Sequence, residues 1–218
     1  PDSIAGVLYP GYYLPEDRAK RIEYLLNDKN DWTKFDVSEM INDVTSPVAP
    51  EIMMKIGKDV DVTQLTASEK KAFNILKNWD GHYGKKKVAP VIYTRLWYEF
   101  VKNTFKDEMG DAFEQFVNTP FEEKVVAAQV RKDNSVWWDD ISTKEKETKQ
   151  DIVNKSFQNT IAFLQKQLGE NVDGWYWKRV ATVEYEHAIG KAGGLLRKFF
   201  NVGPFETNGG DQVINNQI

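Results

Sequence analysis

The chain has 218 residues, of which 41% are hydrophobic, and this is enough apolar material to bury the core of one or two domains. Its formal net charge of -4 gives no basic excess that would gather phosphates, so nucleic acid is not an expected partner. No apolar run approaches the roughly 20 residues that cross a bilayer, and we expect no membrane span. The absence of cysteine excludes disulfides, thiolate metal sites and a cysteine nucleophile.

Both ends of the sequence depart from the pattern of a natural terminus. The chain starts at Pro1, without a methionine or a signal-peptide pattern. It closes on residues 212–218, which have the composition of a strand cut partway. We therefore expect a fragment or a processed product of a longer protein.

Helix signals dominate the first 170 residues. Several predicted starts carry a capping box, in which a side-chain cap is followed three residues later by Glu. The four pairs are Asp36 with Glu39, Thr66 with Glu69, Thr119 with Glu122, and Ser142 with Glu145. Proline suits a first helical turn, because the missing N–H would have no intrahelical partner there, and we place Pro15 and Pro120 accordingly.

Apolar spacing predicts two long helices. The stripe of the first consists of Ile92, Leu96 and Phe100 with Trp97, Val101 and Phe105 beside them. The stripe of the second, in the segment opened by Ser142, consists of Val153, Phe157, Ile161, Leu164 and Leu168. Gly169 follows where a left-handed C-terminal cap is expected.

After residue 170 the composition changes. Residues 175–177 and 180–185 have the aromatic and β-branched content of strands, and glycine-containing turns then surround a short helix near 195–200. The predicted fold class is mainly α with a short C-terminal β portion. Residues 1–170 form the helical region, and residues 171–218 form an aromatic strand and a loop-rich connection of the same domain.

The residues by themselves predict no active site. With two histidines and no Gly-x-Ser-x-Gly turn, a serine-hydrolase triad lacks support. We expect His82 and His187 to be hydrogen-bonded structural residues. The acids at 59–61 and 139–140 lack the glycine and terminal glutamate of a calcium loop. The glycines at 190–194 lack the Lys-Ser/Thr ending of a phosphate loop.

The tryptophans allow two interpretations. Trp137, Trp138 and the aromatic run 175–177 have side chains that stack on sugars or on an aromatic ligand. The same side chains bury large areas and anchor interfaces in folded enzymes, and this second interpretation is favoured.

Five segments carry patterns that occur together, in this order, in one known family. Residues 17–26 contain Arg-Ala, one residue, Arg-Ile, then Leu-Leu; residues 36–44 form a short helix ending in Asn-Asp; residues 75–81 end in Trp-Asp-Gly. Residues 175–190 combine aromatics with His, two residues, Gly, and residues 195–216 contain Leu-Leu, Gly-Pro-Phe, Gly-Gly-Asp and paired asparagines. Over nearly its whole length the chain resembles the large subunit of the penicillin amidase family, which comprises N-terminal nucleophile hydrolases.

The resemblance implies an αββα fold for the parent protein and a mature heterodimer produced by autocatalytic cleavage. In that family the new N-terminal serine of the large subunit attacks an amide carbonyl, with its own α-amino group as the base. Pro1 has no hydroxyl, and no asparagine precedes Leu14 to supply the oxyanion hole. The chain is therefore expected to be inactive alone, with the small subunit and the rest of the large subunit as partners, or to dimerise over its exposed apolar surface.

Arg18 matches the arginine that lines the active-site mouth in the family and supports the catalytic asparagine. Its planar fork suits an amide oxygen or a carboxylate. The alternative is a helix-surface arginine paired with Glu16 or Asp17. Tyr9, Tyr12 and Tyr13 are expected around the site entrance, by position alone.

The resemblance also bears on cofactors and compartment. Where some members place a calcium-binding aspartate, this chain has Val7 or its neighbours, and Asp2 is the only nearby acid. We assign no metal or cofactor to this chain, and calcium stays open for the parent. The family is usually exported, which implies a periplasmic or secreted protein.

The expected function is that of a piece of an amide hydrolase that removes acyl side chains from β-lactams, acyl-homoserine lactones or related amides. The rival hypothesis is a self-sufficient helical module that binds a ligand or another protein. A piece of a larger fold leaves apolar surface exposed, whereas a self-sufficient module does not.

Overall fold

The structure is a computed structural model that describes residues 3–4, 6–8 and 16–216. Pro15 and the tyrosines at 9, 12 and 13 lie outside the described residues, so the predictions made for them are not addressed. The helices are α1 Asp17–Leu26, α2 Lys34–Ile41, α3 Ala49–Gly57, α4 Ala67–Lys77, α5 Ala89–Met109, α6 Phe113–Phe116, α7 Phe121–Gln129, α8 Lys149–Leu168 and α9 Gly194–Phe200. The strands are β1 Ser3–Ile4, β2 Val7–Leu8, β3 Thr182–Tyr185 and β4 Val202–Glu206.

The predicted mainly α class with a short C-terminal β portion is confirmed. Strands β3 and β4 pair antiparallel, with Thr182 opposite Glu206 and Val183 opposite Phe205. The short antiparallel pair β1–β2 near the N-terminus was not predicted. In the part of the chain that the structure describes, no helix is long and apolar enough to cross a membrane.

The core is built on α5 and α8, which pack along each other and against α4. The apolar stripe predicted for α5 is buried except for Trp97, which is half-buried, and Phe100 is fully enclosed against Trp138 at a ring distance of 5.9 Å. Phe157 of α8 packs edge-on against Phe73 of α4, with ring centroids 5.8 Å apart. Full burial of one such side chain contributes about 1.5–3 kcal/mol.

One predicted capping box is confirmed. Thr66 accepts a hydrogen bond from the Glu69 amide, and the Glu69 carboxylate accepts from the Thr66 amide at 2.8 Å. The prediction that Asp36 caps a helix was wrong by three residues, because Thr33 is the cap of α2 and Asp36 supplies the reciprocal carboxylate. Asp has a carboxylate in reach of the cap amide, so it replaces Glu in the box.

The other two predicted boxes were wrong. The helix predicted from Ser142 begins at Lys149, where Thr148 and Asp151 form the box. Ser142 instead donates to Asp140 at 2.5 Å, a local turn bond that competes with helix formation. Thr119 donates to a backbone carbonyl, and Pro120 occupies the position immediately before α7. At the C-terminal end of α8, Gly169 has a positive φ of +92°, but its ψ of 169° lies outside the left-handed helical region of the predicted cap.

The strand predicted at 175–177 was also wrong. Trp175 and Tyr176 connect two short 3-10 turns, Val172–Gly174 and Trp177–Arg179, and Trp177 begins the second turn. Two indole N–H groups bind backbone carbonyls here: Trp175 donates to Gly169 and Trp177 to Gly209, both at 2.8 Å. Residues 212–216, predicted as a cut strand, form turns and irregular structure. By contrast, Gly203 and Pro204, predicted as a turn, lie inside β4.

The Trp-Asp-Gly segment forms a turn that closes against Ser46. Trp79 is buried, and the Asp80 carboxylate accepts a hydrogen bond from the His82 amide at 3.0 Å. Gly81 has a φ of +80°, and a Cβ at this position would lie 2.0 Å from the Ser46 carbonyl oxygen. The motif therefore needs glycine both for its backbone conformation and for this close approach.

The His, two residues, Gly segment has a similar explanation. The Asn201 carboxamide oxygen accepts from the His187 amide at 3.2 Å and lies directly over Gly190. A Cβ on Gly190 would lie 1.8 Å from that oxygen. The contact ties the turn after β3 to the end of α9.

We expect Gly81→Ala to lower the free energy of unfolding much more than Gly193→Ala. Gly193 has nearly the same φ, +79°, but a Cβ added there would meet no atom within 4 Å. Both substitutions carry the positive-φ cost of about 1–2 kcal/mol, and Gly81→Ala adds the clash with Ser46. Urea denaturation measures the difference, and equal losses would contradict the steric explanation.

Candidate functional site

Two polar links hold α1, the helix that carries Arg18, against the rest of the chain. The Ser46 hydroxyl donates to the buried Asp17 carboxylate at 2.8 Å. Arg21 donates two hydrogen bonds to the carboxylate of Asp43, at 3.0 and 2.7 Å. Bidentate arginine–carboxylate pairs have defined geometry, so these two links set the orientation of the helix.

Ser46 connects α1 to α3 and to the loop that contains Gly81. It is fully buried, and its hydroxyl oxygen accepts from the amides of Val48 and Ala49 at 3.3 and 3.0 Å. Those amides open α3 and would otherwise lack an acceptor. The Ser46 amide donates to the Gly81 carbonyl at 3.0 Å.

Arg18 is exposed on α1, one residue after the buried Asp17. The acids considered as its partners bind other residues, since Glu16 pairs with Lys20 at 2.6 Å and Asp17 accepts from Ser46. The side chain of Arg18 is therefore exposed on a helix that is held in place by the contacts of Asp17 and Arg21. A role of Arg18 at an active-site mouth stays a prediction.

A cleft of about 450 Å³ lies between α5, the start of α7 and the loop at 210–212. Aromatic rings form part of its walls: Tyr83 packs edge-on against Trp177 at a ring distance of 5.3 Å, and the ring centres of Tyr93 and Trp97 are 6.2 Å apart. A volume of this size is within the range of small-molecule pockets.

Two adjacent carboxylates, Glu122 and Glu123, line the same cleft. Burial raises the pKa of Glu122 to about 7; a hydrogen bond from Trp97 opposes this shift, and the charge of Glu123 adds to it. Burial also raises the pKa of Glu123, which the nearby charges of Asp17 and Asp211 raise further, against a hydrogen bond with Gln212. The charge of Asp17, on α1, therefore acts on the pKa of a carboxyl group in the cleft.

The other side chains weighed from the sequence have structural contacts. His187 Nδ1 accepts from the Ile189 amide at 3.1 Å, and its ring stacks on Phe200. Asp61 accepts from the amide of Thr63 at 3.0 Å. Among the described residues, no group of three or more His, Asp or Glu side chains is arranged to hold a metal ion.

The tryptophans weighed as ligand platforms pack mainly inside the protein. Trp138, Trp175 and Trp177 are buried, and only the last of them lines the cleft. His82 differs from His187, because its Nδ1 is buried and has no hydrogen-bond partner among residues 3–4, 6–8 and 16–216. Of the aromatic and histidine side chains weighed from the sequence, Trp177 lines the cleft beside the two glutamates. Neither His82 nor His187 is among the described residues of its lining.

The sequence analysis did not predict the burial of Glu122 at the cleft, because this residue was considered only as part of a helix cap. Glu122, Val126 and Val130 follow each other at intervals of four, and all three are buried. A carboxylate on the apolar stripe of a helix is an unusual arrangement, because burial penalises its charged form. The spacing of Glu122 from these two valines was therefore the feature of the sequence that indicated its burial.

Residues 3–218 match the family described as penicillin amidase. Since the match covers nearly all of the sequence, the chain belongs to the penicillin amidase family.

Known relatives include acyl-homoserine lactone acylases. QuiP of Pseudomonas aeruginosa is 24% identical over 226 residues, which cover 91% of this chain and 27% of that protein. QuiP of Pseudomonas fluorescens Pf0-1 is 26% identical over 154 residues, covering 66% of this chain and 19% of that protein. The chain thus spans 27% or less of the length of these curated relatives.

We expect Glu122→Gln to change how stability depends on pH. Between the ordinary carboxyl pKa and about 7, the folded protein holds a proton on Glu122 that the unfolded chain releases. The free energy of unfolding therefore falls as the pH rises from about 5 to about 8. The neutral amide removes this loss, and the variant is expected to be more stable than wild type near pH 8 by up to about 3 kcal/mol.

Urea denaturation across this pH range measures the effect. Glu114→Gln is the matched control, since Glu114 is an exposed carboxylate on the neighbouring α6. A Glu122→Gln variant that keeps the wild-type pH dependence would show that Glu122 titrates alike in the folded and unfolded chain.

Proposed function

We propose that the chain is part of an amide hydrolase that removes the acyl group from a small N-acyl compound, such as an acyl-homoserine lactone or a β-lactam. The observation that carries the proposal is the family match over residues 3–218. The relatives described as acyl-homoserine lactone acylases make that substrate class the first to test. The acyl group itself is not specified by the proposal.

We further propose that the nucleophile belongs to other residues of a longer protein. The chain aligns with 27% of the P. aeruginosa relative, which leaves ample sequence for the rest of an active site. In this proposal an N-terminal serine attacks the amide carbonyl, and its α-amino group accepts the proton. The 218 residues alone would then be inactive.

Arg18 is the residue of this chain that we place at that active site. Its helix is fixed by Asp17 and Arg21, while its own side chain is exposed. A guanidinium held in this way has donors available for a carbonyl, a carboxamide or a carboxylate brought by the remainder of the protein. We therefore propose that Arg18 positions the catalytic asparagine or the substrate.

The exposed apolar surface of the C-terminal part supports a larger protein over the rival self-sufficient module. Leu195 and Phe199 of α9 are 71% and 80% exposed, and Tyr185 and Phe205 of the β3–β4 pair are also exposed. Isolated exposed apolar side chains are common, but a group of this size marks an interaction site. We propose that the rest of the precursor covers this surface.

The family assignment is also the basis for proposals on cellular compartment and on metal binding. We propose a periplasmic or secreted protein, in line with the usual location of the family. We also propose that this chain contributes no ligand to a metal, so that any calcium in the parent would be bound by other residues.

The test uses the longer protein that contains this chain. It should release a free primary amine from N-acyl-homoserine lactones, which an amine-reactive fluorogenic reagent detects. Arg18→Lys should lower kcat at least about ten-fold, because the ammonium lacks the bidentate fork.

Two control variants on α1 separate a functional role from a structural one. Lys20→Ala removes an exposed ion pair and should leave kcat unchanged. Arg21→Lys weakens the link to Asp43 and should lower stability more than Arg18→Lys does. Unchanged kinetics in Arg18→Lys would make Arg18 a surface residue, and no amine release from any N-acyl substrate would contradict the hydrolase proposal.

The exposed surface is tested on the 218-residue chain expressed alone. We expect it to self-associate in light scattering, and we expect Leu195→Asp combined with Phe199→Asp to reduce this association. Phe35→Asp is the control, because Phe35 of α2 is 70% exposed but lies outside the surface. A monomeric wild-type chain would favour the self-sufficient module.

A further inference from the structure

The described lining of the cleft between α5 and α7 contains acidic side chains but no cationic side chain. Glu122 and Glu123 line it, and Asp211 lies exposed beside them. No lysine, arginine or histidine is among the described residues that line the cleft. None of the ion pairs within the described part of the chain involves Glu122, Glu123 or Asp211.

Two buried polar atoms at the cleft have no partner among the described residues, and this observation is independent of the carboxylates. Tyr93 is only 3% exposed, yet its hydroxyl makes no hydrogen bond within the described part of the chain. The carboxamide oxygen of Gln212 is also buried, and none of the described residues donates to it. Unmatched buried polar groups are costly in a folded protein, and a bound ligand is one way to satisfy them.

The chemistry of these groups selects the ligand. An ionised carboxylate accepts hydrogen bonds only, and the free oxygen of Gln212 is an acceptor too, so a cation with N–H donors complements these groups and favours the ionised form of Glu122. The side chains of Tyr83, Tyr93 and Trp97 line the cleft, and aromatic rings attract cations at ring-centre distances of about 6 Å or less. Positive charge would also offset the mutual repulsion of the two glutamates.

We propose that this cleft binds one small organic cation, an amidinium, guanidinium or alkylammonium group attached to an apolar or aromatic body. The cationic end donates to Glu122, Glu123, the carboxamide oxygen of Gln212 and the hydroxyl oxygen of Tyr93. The apolar body packs against Trp97 and Trp177. This site is separate from the hydrolase proposal and uses none of the residues on which that proposal rests.

The test compares two probes of the same shape, benzamidine and its uncharged analogue benzamide. Binding is followed by isothermal titration calorimetry on the longest form of the protein that contains this chain. We expect benzamidine to bind at least about ten-fold more tightly than benzamide, because charge-assisted hydrogen bonds to carboxylates are the stronger class.

Two variants locate the site. Glu122→Gln combined with Glu123→Gln should reduce benzamidine affinity at least about ten-fold while leaving benzamide binding little changed. Glu114→Gln, an exposed carboxylate outside the cleft, should change neither. Circular dichroism confirms that the variants are folded, and Tyr93→Phe gives a milder variant that keeps the packing of the ring and should still weaken benzamidine binding.

Three results would overturn the proposal. One is equal affinity for the two probes, and another is benzamidine binding that the double variant leaves unchanged. The third is no binding of either probe, which would also result if a lysine or arginine from elsewhere in the longer protein filled the cleft. Failure of amide hydrolysis has no bearing on these outcomes, so the two proposals fail separately.

Discussion

The position of Ser46 is the constraint on which much of this structure depends. Its carbonyl oxygen occupies the space where Gly81 would have a side chain, and its hydroxyl bridges Asp17 to the first amides of α3. One buried residue therefore sets the relation of α1, α3 and the Trp-Asp-Gly turn. The same turn continues into Tyr83, a wall of the cleft, so the geometry of the cleft is tied to this serine.

The cleft places carboxylates in an environment that opposes their ionisation. Burial and the like charges of Glu123, Asp17 and Asp211 all act in the same direction on the acids of this region. A fold selected for stability alone would be expected to place apolar side chains at such positions. Retaining two acids there is the kind of local conflict with folding rules that is common at functional sites.

The sequence predicted the long helices, whose apolar residues recur with helical periodicity. It did not predict the helix starts and turns that depend on single hydrogen bonds. The stripes of α5 and α8 identified the central helices, because burying one face of a long helix outweighs local preferences. The start of α8 was missed because Ser142 bonds to Asp140. Residues 175–177 have strand composition, yet they run from irregular structure into a 3-10 turn, and two of their indoles bond to backbone carbonyls.

The candidate sites were predictable to different degrees. Arg18 was found through the resemblance of its segment, although its exposure and the fixed helix beneath it required the structure. The cleft joins residues from Tyr83 to Gln212, which are brought together only by the tertiary fold. Only the burial of Glu122 left a trace in the sequence, as an acid in register with Val126 and Val130.

The way α1 is attached affects the order in which parts of the molecule unfold. Asp17 is the only buried residue of this helix, and its later residues, such as Tyr24 and Leu26, are exposed. Regions with few buried apolar contacts unfold locally at lower free energy than the core. The amide hydrogens of α1 should therefore exchange with solvent through detachment of that helix, while those of α5 and α8 exchange only when the whole core unfolds.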